Sequence, residues 1–283
     1  MLVSILTPSL NQRTWLAGNL NSVAAQTYPV IEHIVIDGGS TDGSVELLAG
    51  AASRSLIWES GPDSGQSHAL NKALARSSGH IIGWINADDG YVDRRAVERV
   101  VRCFASNHEI DVVYGHSLLV GPANHVLQVL WAPPFISRLT EYVTPFYQPA
   151  LFFRRSVLET GFVDESLHYV MDFDLWRRLW ARYRFQRIPL FVGIERHQPD
   201  RKVYSAAYRQ ERADYFHTHL PERDLLSNRV VRSGYAATER LMGMAVSEWA
   251  RRSIDPAIPL SWPPARQLVW TQFARDRASL RLE

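Results

Sequence analysis

Two adjacent carboxylates, Asp88 and Asp89, follow an apolar run at residues 81–85 and precede Gly90. An uninterrupted apolar run of this length is typical of a buried parallel strand, which would deliver both acids into a cleft at its carboxyl end. Two like charges side by side favour a bound cation, and oxygen ligands suit Mg2+ or Mn2+ carrying phosphate groups. The pair therefore predicts a metal-diphosphate site. The alternative, that both residues cap a helix over residues 94–107, is left open by this segment alone.

A third carboxylate is selected by helical geometry. If residues 172–183 form a helix, Asp172 heads a buried stripe, whereas Asp174 lies on the opposite side. Asp174 precedes Arg177 and Arg178 by three and four residues, so we expect it in exposed ion pairs. Asp172 is therefore predicted to point inward, with a plain helix cap as the alternative. The other residues of the stripe are Leu175, Trp176, Leu179, Trp180 and Tyr183.

The first 120 residues alternate strand and helix patterns. Strands are predicted at 2–6, 31–36, 55–58, 81–85 and 111–119, with helices at 15–26, 45–51 and 66–76. This alternation is typical of a doubly wound, mostly parallel α/β sheet. Ligands of such sheets bind outside the carboxyl ends of the strands. The polar residues that follow the strands are Thr7, Pro8, Ser9, Asp37, Asp63, Asp88 and Asp89.

Two of these positions have simpler explanations that the sequence leaves open. The glycine-rich stretch after Asp37 would also form a tight turn, with Asp42 capping the next helix. The helix at 66–76 offers Gln66, Asn71 and Lys72 to the same edge, with Lys72 reaching a phosphate. A solvated helix start would explain these three equally well.

Composition narrows the function classes. The 283 residues are 46% hydrophobic and 21% charged, as in ordinary globular proteins. A formal net charge of +2 gives no argument for nucleic acid. The single cysteine, Cys103, excludes an intrachain disulfide framework and fits a reducing compartment. No run of 18 apolar residues occurs, and the first residues have the pattern of a strand, so a cytoplasmic protein is expected.

The chain changes character towards its end. We predict a catalytic domain at residues 1–204 and a helical extension rich in Arg and Trp at 205–283. One hypothesis for the interleaved aromatic and basic residues is peripheral contact with an anionic membrane, at the inner face of the cell membrane. The alternative is that these aromatic residues pack the helices onto the catalytic domain.

Several segments, in order and spacing, resemble family 2 inverting glycosyltransferases with the GT-A fold, of the type that builds bacterial polysaccharides. Two of these segments are Trp84-Ile-Asn-Ala-Asp-Asp89 and Met171-Asp-Phe-Asp-Leu-Trp-Arg177, and it is the order and spacing of all of them together that carry the resemblance. Further matching segments lie at residues 4–11, 26–29, 32–43, 63–73, 148–154 and 161–165.

The resemblance implies roles for the residues already singled out. A sugar-nucleotide base would lie near Pro8, Ser9 and Asp37, with its ribose and diphosphate near Asp88. A divalent metal, Mn2+ or Mg2+, would bridge the phosphates. The residues implied to line the donor site are Thr7, Pro8, Ser9, Asp37, Asp63, Gln66, Asn71, Lys72, Asn86 and Asp88. The implied metal ligands are Asp88, Asp89 and His197; a surface histidine is the alternative for the last.

Two positions depart from the family pattern. Asn86 stands where many relatives carry the first Asp of a DxD motif, so Asp89 becomes the expected metal ligand. His68 stands where many relatives carry an Asp, which affects recognition of the donor sugar.

The predicted function is inverting transfer of a sugar from a nucleoside diphosphate, with UDP favoured, to a saccharide or lipid-linked acceptor hydroxyl. Asp172 would be the general base. A sugar-phosphate nucleotidylyltransferase is one alternative, although the first strand lacks the Gly-rich loop expected there. A non-catalytic glycan-binding module is the other, although the acidic residues are all present.

Overall fold

A computed structural model describes residues 1–51, 53, 55–134, 146–159, 161–198, 205–219, 225–254 and 260–262. The strands are β1 (Val3–Ser9), β2 (Ile31–Asp37), β3 (Leu56–Ser60), β4 (Ile81–Trp84), β5 (Gly90–Tyr91), β6 (Val112–Val120), β7 (Val126–Leu130), β8 (Leu151–Arg154) and β9 (Phe185–Arg196). The helices are α1 (Arg13–Ala24), α2 (Ser44–Gly50), α3 (Gln66–Arg76), α4 (Ala96–Ser106), α5 (Met171–Trp180), α6 (Ala206–His219) and α7 (Leu225–Ser253).

One half of the sheet is parallel, as predicted. Its strands lie in the order β3, β2, β1, β4, and each neighbouring pair runs parallel. The register places Ser9 beside Asp37, and Asp37 beside Ser60. The carboxyl ends of three strands therefore meet at one edge, which is where the sequence places its polar residues.

The other half of the sheet is mixed. Strand β8 runs antiparallel to both β4 and β6, while β9 runs parallel to β6. The short strand β5 pairs antiparallel with β9, with Gly90 opposite Ile194. Because β5 begins directly after Asp89, this pairing brings the end of β9 next to the acidic pair.

Aromatic side chains join α5 to the sheet. Trp176 stacks on Phe153 of β8 with ring centroids 5.7 Å apart, and its indole lies 6.2 Å from that of Trp84. Trp84 and Trp176 are both at most 2% exposed. Large buried rings contribute strongly to core stability, so α5 is firmly fixed beneath the strand that carries the acidic loop.

The C-terminal helix α7 also packs on the sheet. Ala250 and Ile254 share an apolar cluster with Val120 and Phe191. The ring centroids of Trp249 and Phe191 are 5.1 Å apart, so this tryptophan packs against the catalytic part of the chain, as the alternative predicted. Residues 263–283 of the predicted extension lie outside the described residues, and the division at residue 204 stays a prediction. None of the helices in the described residues combines the length and the hydropathy of a membrane span.

Candidate active site

The acidic pair lies in a loop between β4 and β5. The helix-cap alternative for this pair is wrong, because α4 begins at Ala96 and Asp93 makes the local contacts before it. The Asp93 carboxylate accepts a hydrogen bond from the Arg95 N–H at 2.8 Å. Asp88 and Asp89 therefore do not cap α4, and they lie in the loop at the carboxyl edge of the sheet.

The two carboxylates have different surroundings. Asp89 is 7% exposed; its Oδ1 accepts the Arg196 N–H at 3.0 Å and its Oδ2 accepts the Asn86 amide at 3.2 Å. Asp88 is half-buried, and its Oδ2 accepts the Gln198 amide at 2.7 Å. Asp89 is thus held by the protein on both oxygens, whereas Asp88 is the more accessible acid. The preference for Asp89 as metal ligand stays a prediction.

Arg196, which sequence reasoning did not select, joins the acidic loop to its surroundings. Its Nε donates to the Asp88 carbonyl at 3.2 Å, and its guanidinium lies 4.6 Å from the centre of the Trp15 ring. Burial lowers the pKa of Arg196, while the charges of Asp88 and Asp89 oppose that shift. The only sequence signal for Arg196 was its place directly before the chosen His197.

His197 follows β9 and donates its backbone N–H to the Val120 carbonyl at 2.8 Å. Among the described side chains, no three His, Cys, Asp or Glu residues converge as a metal-binding group. The predicted set of Asp88, Asp89 and His197 is therefore not preassembled. Mg2+ and Mn2+ sites that act on phosphates often use only one or two carboxylates and complete their shell with substrate oxygens. The half-buried Asp88 carboxylate fits that requirement.

Asn86 connects the acidic loop to two neighbouring elements. Its Oδ1 accepts the Gln66 amide at 2.8 Å and the Trp84 indole N–H at 3.0 Å. Its Nδ2 donates to Asp89 at 3.2 Å and to Gln148 Oε1 at 3.0 Å. An aspartate here would have no N–H to donate, so the departure from the family motif has a defined structural role.

The predicted base-binding end is built around Asp37. This fully buried carboxylate accepts the backbone N–H groups of Gly39 at 3.1 Å and Ser40 at 2.8 Å, and the Ser60 hydroxyl at 2.7 Å. These are the contacts of the tight-turn alternative, and they tie β2 to β3. Asp37 therefore stabilises the loop after β2, whether or not it also contacts a ligand.

Residues at the end of β1 face different directions. The Thr7 hydroxyl is 3.0 Å from His33 Nε2 in the interior, where burial lowers the pKa of His33 to about 3. Thr7 therefore belongs to the core. Pro8 is buried beside Ile36 of β2. Ser9 is 5% exposed, and within the described residues its hydroxyl has no hydrogen-bond partner. An orphaned buried hydroxyl is a natural contact for a polar ligand.

Asp63 lies against the loop after β2. Its Oδ1 accepts the Gly65 N–H at 2.8 Å, and a Cβ on Gly38 would come within 3.0 Å of its Oδ2. Glycine at position 38 therefore allows Asp63 to approach the Asp37 turn. Asp63 and Gln66 both lie on this edge, where they were predicted.

The other two residues predicted from α3 are engaged elsewhere. Asn71 donates to the Val163 carbonyl at 3.0 Å and to Glu165 at 2.8 Å, so it anchors the segment before α5. Lys72 pairs with Glu59 of β3 at 2.8 Å. This ion pair directs the Lys72 ammonium group to β3, and its contact with a phosphate stays a prediction.

Asp172 lies in the first turn of α5 and is half-buried. Its Oδ1 accepts the Phe173 N–H at 2.6 Å. Burial raises the pKa of Asp172 to about 6; the Phe173 amide opposes this shift, and the negative charge of Glu195 adds to it. Glu195 of β9 was missed by sequence reasoning, since nothing local marks it. A carboxyl group with a pKa near 6 is suited to general-base chemistry at neutral pH.

The expectation that Asp174 forms exposed ion pairs is wrong in part. Its Oδ2 does accept from Arg178 Nε at 2.7 Å, and Arg177 lies 3.6 Å from its Oδ1. Asp174 is nevertheless only 6% exposed. Its Oδ1 also accepts the Tyr215 hydroxyl at 2.7 Å, because α6 covers this side of α5.

The fold is that of GT-A glycosyltransferases. S. aureus TarS in complex with UDP-GlcNAc aligns with a TM-score of 0.58 and 15% identity, over 82% of this chain and 70% of TarS. The mannosyltransferase PcManGT from Pyrobaculum calidifontis, in complex with GDP-Man and Mn2+, aligns at 0.58 with 20% identity, over 99% of this chain and 80% of that one. At these identities the likeness concerns the fold alone.

The chain belongs to glycosyl transferase family 2, whose model matches residues 4–162. An uncharacterized glycosyltransferase of Mycobacterium tuberculosis is 34% identical over 122 residues, covering 42% of this chain and 47% of the relative. One from Rickettsia conorii is 26% identical over 192 residues, covering 63% of this chain and 31% of the relative. The chain therefore spans about half or less of the length of these curated relatives. The family does not favour the nucleotidylyltransferase or binding-module alternatives.

Proposed function

We propose that this glycosyltransferase transfers a sugar from a nucleoside diphosphate to an acceptor hydroxyl with inversion, using Asp172 as the general base. The observation that carries the proposal is the half-buried Asp172 carboxylate, whose pKa is raised to about 6 at the start of α5. At that pKa the group is ionised at pH 7 and still basic enough to accept a proton.

The proposed reaction is a single displacement. Asp172 accepts the proton of the acceptor hydroxyl as its oxygen attacks the anomeric carbon from the face opposite the diphosphate. The carbon–oxygen bond to the diphosphate breaks, and the nucleoside diphosphate departs with the bonding electrons. Attack from the opposite face inverts the anomeric centre. Arg196, held against the acidic loop, places positive charge beside Asp88 and Asp89.

The donor is proposed to lie along the carboxyl edge of the sheet, with the base near Ser9 and Asp37. The orphaned Ser9 hydroxyl supports this placement. UDP is the first expectation for the nucleotide, and the bound donors of TarS and PcManGT support a sugar nucleotide in general.

A divalent ion, Mn2+ or Mg2+, is proposed to be held first by Asp88, with Asp89 behind it. When bound, such an ion would offset the charge that develops on the leaving diphosphate. His197 stays a prediction as a third ligand.

The test is Asp172→Asn assayed with UDP-glucose, UDP-N-acetylglucosamine and GDP-mannose, each with and without Mn2+. We expect release of nucleoside diphosphate to fall by about 10²- to 10⁴-fold, the usual contribution of a general base. Stabilisation of the protein by donor and Mn2+ in a thermal-shift assay should persist. The exposed Asp214→Asn is the control. Normal turnover by Asp172→Asn would refute the role of this residue.

We also propose that α7 contacts an anionic membrane at the cytoplasmic face, where a lipid-linked or nascent polysaccharide acceptor is presented. Leu241 is 61% exposed, and Arg251 and Arg252 are exposed further along the helix. Flotation with vesicles of anionic or neutral lipid should show binding to the anionic ones only. Leu241→Ser combined with Arg251→Ser and Arg252→Ser should abolish it. Equal, negligible binding by the native protein would dispose of the membrane contact.

A further inference from the structure

The carboxylate of Glu211 binds three backbone N–H groups immediately before α5, the helix that carries Asp172. Glu211 of α6 accepts the N–H groups of Tyr169 at 2.7 Å and Val170 at 2.9 Å through Oε1, and that of His168 at 3.0 Å through Oε2. Three consecutive N–H groups thus point at one side chain from another helix. Hydrogen bonds to an ionised acceptor are about twice as strong as neutral ones.

The Glu211 carboxylate also lies at the end of α5 where a negative charge is favourable. Val170 is the residue that caps α5, and Asp172 follows two residues later. A negative charge near the N-terminus of a helix is stabilising, because the backbone dipoles place partial positive charge there. The N-cap residue Val170 makes no side-chain capping hydrogen bond, so the negative charge at the start of α5 is supplied from another helix by Glu211.

A second contact between the same two helices lies just beyond Asp172. The Tyr215 hydroxyl donates to Asp174 at 2.7 Å and accepts from Arg177 Nε at 2.6 Å. The Tyr215 side chain is 3% exposed, and its ring lies 5.9 Å from that of Phe173. Helix α6 therefore holds α5 on both sides of Asp172, at residues 168–170 and at residues 173–177.

We propose that α6 positions the base carboxylate of Asp172, with Glu211 as the positioning residue that fixes the entry into α5. The inference rests on the proposed role of Asp172. Because the Asp172 Oδ1 is already bonded to the Phe173 N–H, the carboxylate follows the backbone of this turn. The direction in which Asp172 presents its carboxylate is therefore set where Glu211 binds. A misplacement of about 1 Å at a reacting group can cost about 10²-fold in rate.

The proposal gives α6 a role in positioning the general base, although the sequence analysis placed this helix in a separate extension. No local sequence pattern indicates this role, since Glu211 and Tyr215 lie about forty positions from the residues that they contact. Their spacing of four on α6 places them on one helical face, towards α5.

The test compares Glu211→Ala, Glu211→Gln and the control Asp214→Asn, all in the full chain. Asp214 is an exposed acid on the same helix, and its described hydrogen bonds join it to Gln210 only. Hydrogen–deuterium exchange of the amides at 168–170 provides a readout that needs no substrate. Turnover is measured with the UDP-sugar or GDP-mannose that gives the highest rate, well below the melting temperature of each variant.

For Glu211→Ala we expect faster exchange at residues 168–170 and a kcat lower by about 10- to 100-fold, with the KM for donor unchanged. Glu211→Gln should recover part of kcat, because its amide oxygen still accepts N–H groups. The control should match the native protein. A purely structural role would instead lower the melting temperature of Glu211→Ala while leaving kcat of the folded fraction intact, and that result would overturn the inference.

Asp172→Asn, measured alongside, separates the two proposals. If Asp172→Asn is inactive and Glu211→Ala has native kcat, only the positioning role fails. If Asp172→Asn turns over normally, the base assignment itself fails, and the loss expected for Glu211→Ala has no basis.

Discussion

At the scale of single residues, the surroundings of Asp172 explain why it differs from the other acids of the site. Asp37 and Asp89 each accept several hydrogen bonds from the protein. Asp172 accepts one described hydrogen bond, from the Phe173 N–H, and lies near the negative charge of Glu195. Burial and this charge together raise the pKa of Asp172, so this acid can take up a proton near neutral pH.

The first prediction concerns pH. Since the base must be ionised, kcat should fall about tenfold per unit as pH drops below about 6, the pKa of Asp172. The charge of Glu195 disfavours ionisation of Asp172, so Glu195→Gln should lower that pKa and move the acid limb to lower pH. The measurement is the pH profile of donor turnover for both proteins. Glu109→Gln, which removes a surface acid paired with Arg184, should leave the limb in place. A limb unmoved by Glu195→Gln would contradict the assignment.

Asn86 shows what sequence alone can and cannot say about a residue. The motif marks it as a departure and locates it at the end of β4, both correctly. Two of its four side-chain hydrogen bonds join it to Gln66 and Gln148, which lie 20 and 62 positions away. These partners are fixed by the three-dimensional packing of α3 and the turn at Gln148–Ala150, and they have no local signature.

The second prediction is that Asn86→Asp destabilises the loop and does not restore a two-Asp metal clamp. The new carboxylate would lose both donated hydrogen bonds and face Asp89 and Gln148 Oε1, at a cost of about 1–3 kcal/mol for unsatisfied groups. Thermal unfolding should shift down, and stabilisation by UDP with Mn2+ should weaken. Asn107→Asp is the control, because its side chain only accepts from the Glu109 N–H. Stronger Mn2+-dependent stabilisation in Asn86→Asp would show that the position binds metal.

At the scale of elements, the strands and helices of the first half were predictable because each has a clear pattern. The helix expected at residues 66–76 is α3 (Gln66–Arg76), and the strand expected at 31–36 is β2 (Ile31–Asp37). The antiparallel strand β8 and the path of β9 were not predictable in the same way. Their directions depend on long-range pairing, and a fully buried strand such as β6 has the same apolar pattern in either direction.

One close approach between elements supports the cleft. The turn at Gln148–Ala150 packs against β9 at Gly193, where a Cβ would come within 2.8 Å of the Pro149 backbone carbon. Gln148 in turn holds Asn86. The glycine therefore lets the turn reach the loop that carries the acidic pair.

The third prediction follows from this contact. Gly193→Ala should force the turn and β9 apart, at a cost of about 1–3 kcal/mol, the usual range for overpacking. We expect a lower melting temperature and weaker stabilisation by UDP with Mn2+. The matched control is Gly18→Ala in α1, which is exposed and has nothing within 4 Å of the added carbon. It should be neutral or slightly stabilising, since alanine favours a helix by about 1 kcal/mol over glycine. Equal melting temperatures for both variants would exclude tight packing at Gly193.

At the scale of the whole molecule, α6 and α7 contact the sheet-bearing part of the chain directly. Gly243 of α7 lies so close to β7 that a Cβ would come within 2.7 Å of the Val129 carbonyl oxygen. The change in composition that suggested a division near residue 204 is real. Composition, however, reports which residues are present and carries no information about which surfaces they bury.

The last prediction tests whether α7 supports the active site. Ala250 is fully buried in the cluster that includes Phe191 and Ile194 of β9, and the same strand continues into Glu195 and Arg196. Ala250→Glu would bury an unpaired charge there, at a cost of about 3–5 kcal/mol. At about 2–4 °C per kcal/mol for a domain of this size, the melting temperature should fall by at least about 6 °C.

Ala245→Glu is the matched control, because the same change is made at an exposed position of the same helix. It should melt like the native protein and retain stabilisation by UDP with Mn2+. In Ala250→Glu that stabilisation should weaken, since displacing α7 loosens the strand that holds Arg196 against Asp89. If Ala250→Glu instead lowered the melting temperature and bound UDP with Mn2+ as tightly as the native protein, α7 would contribute to stability alone, and the end of β9 would hold the acidic loop without it.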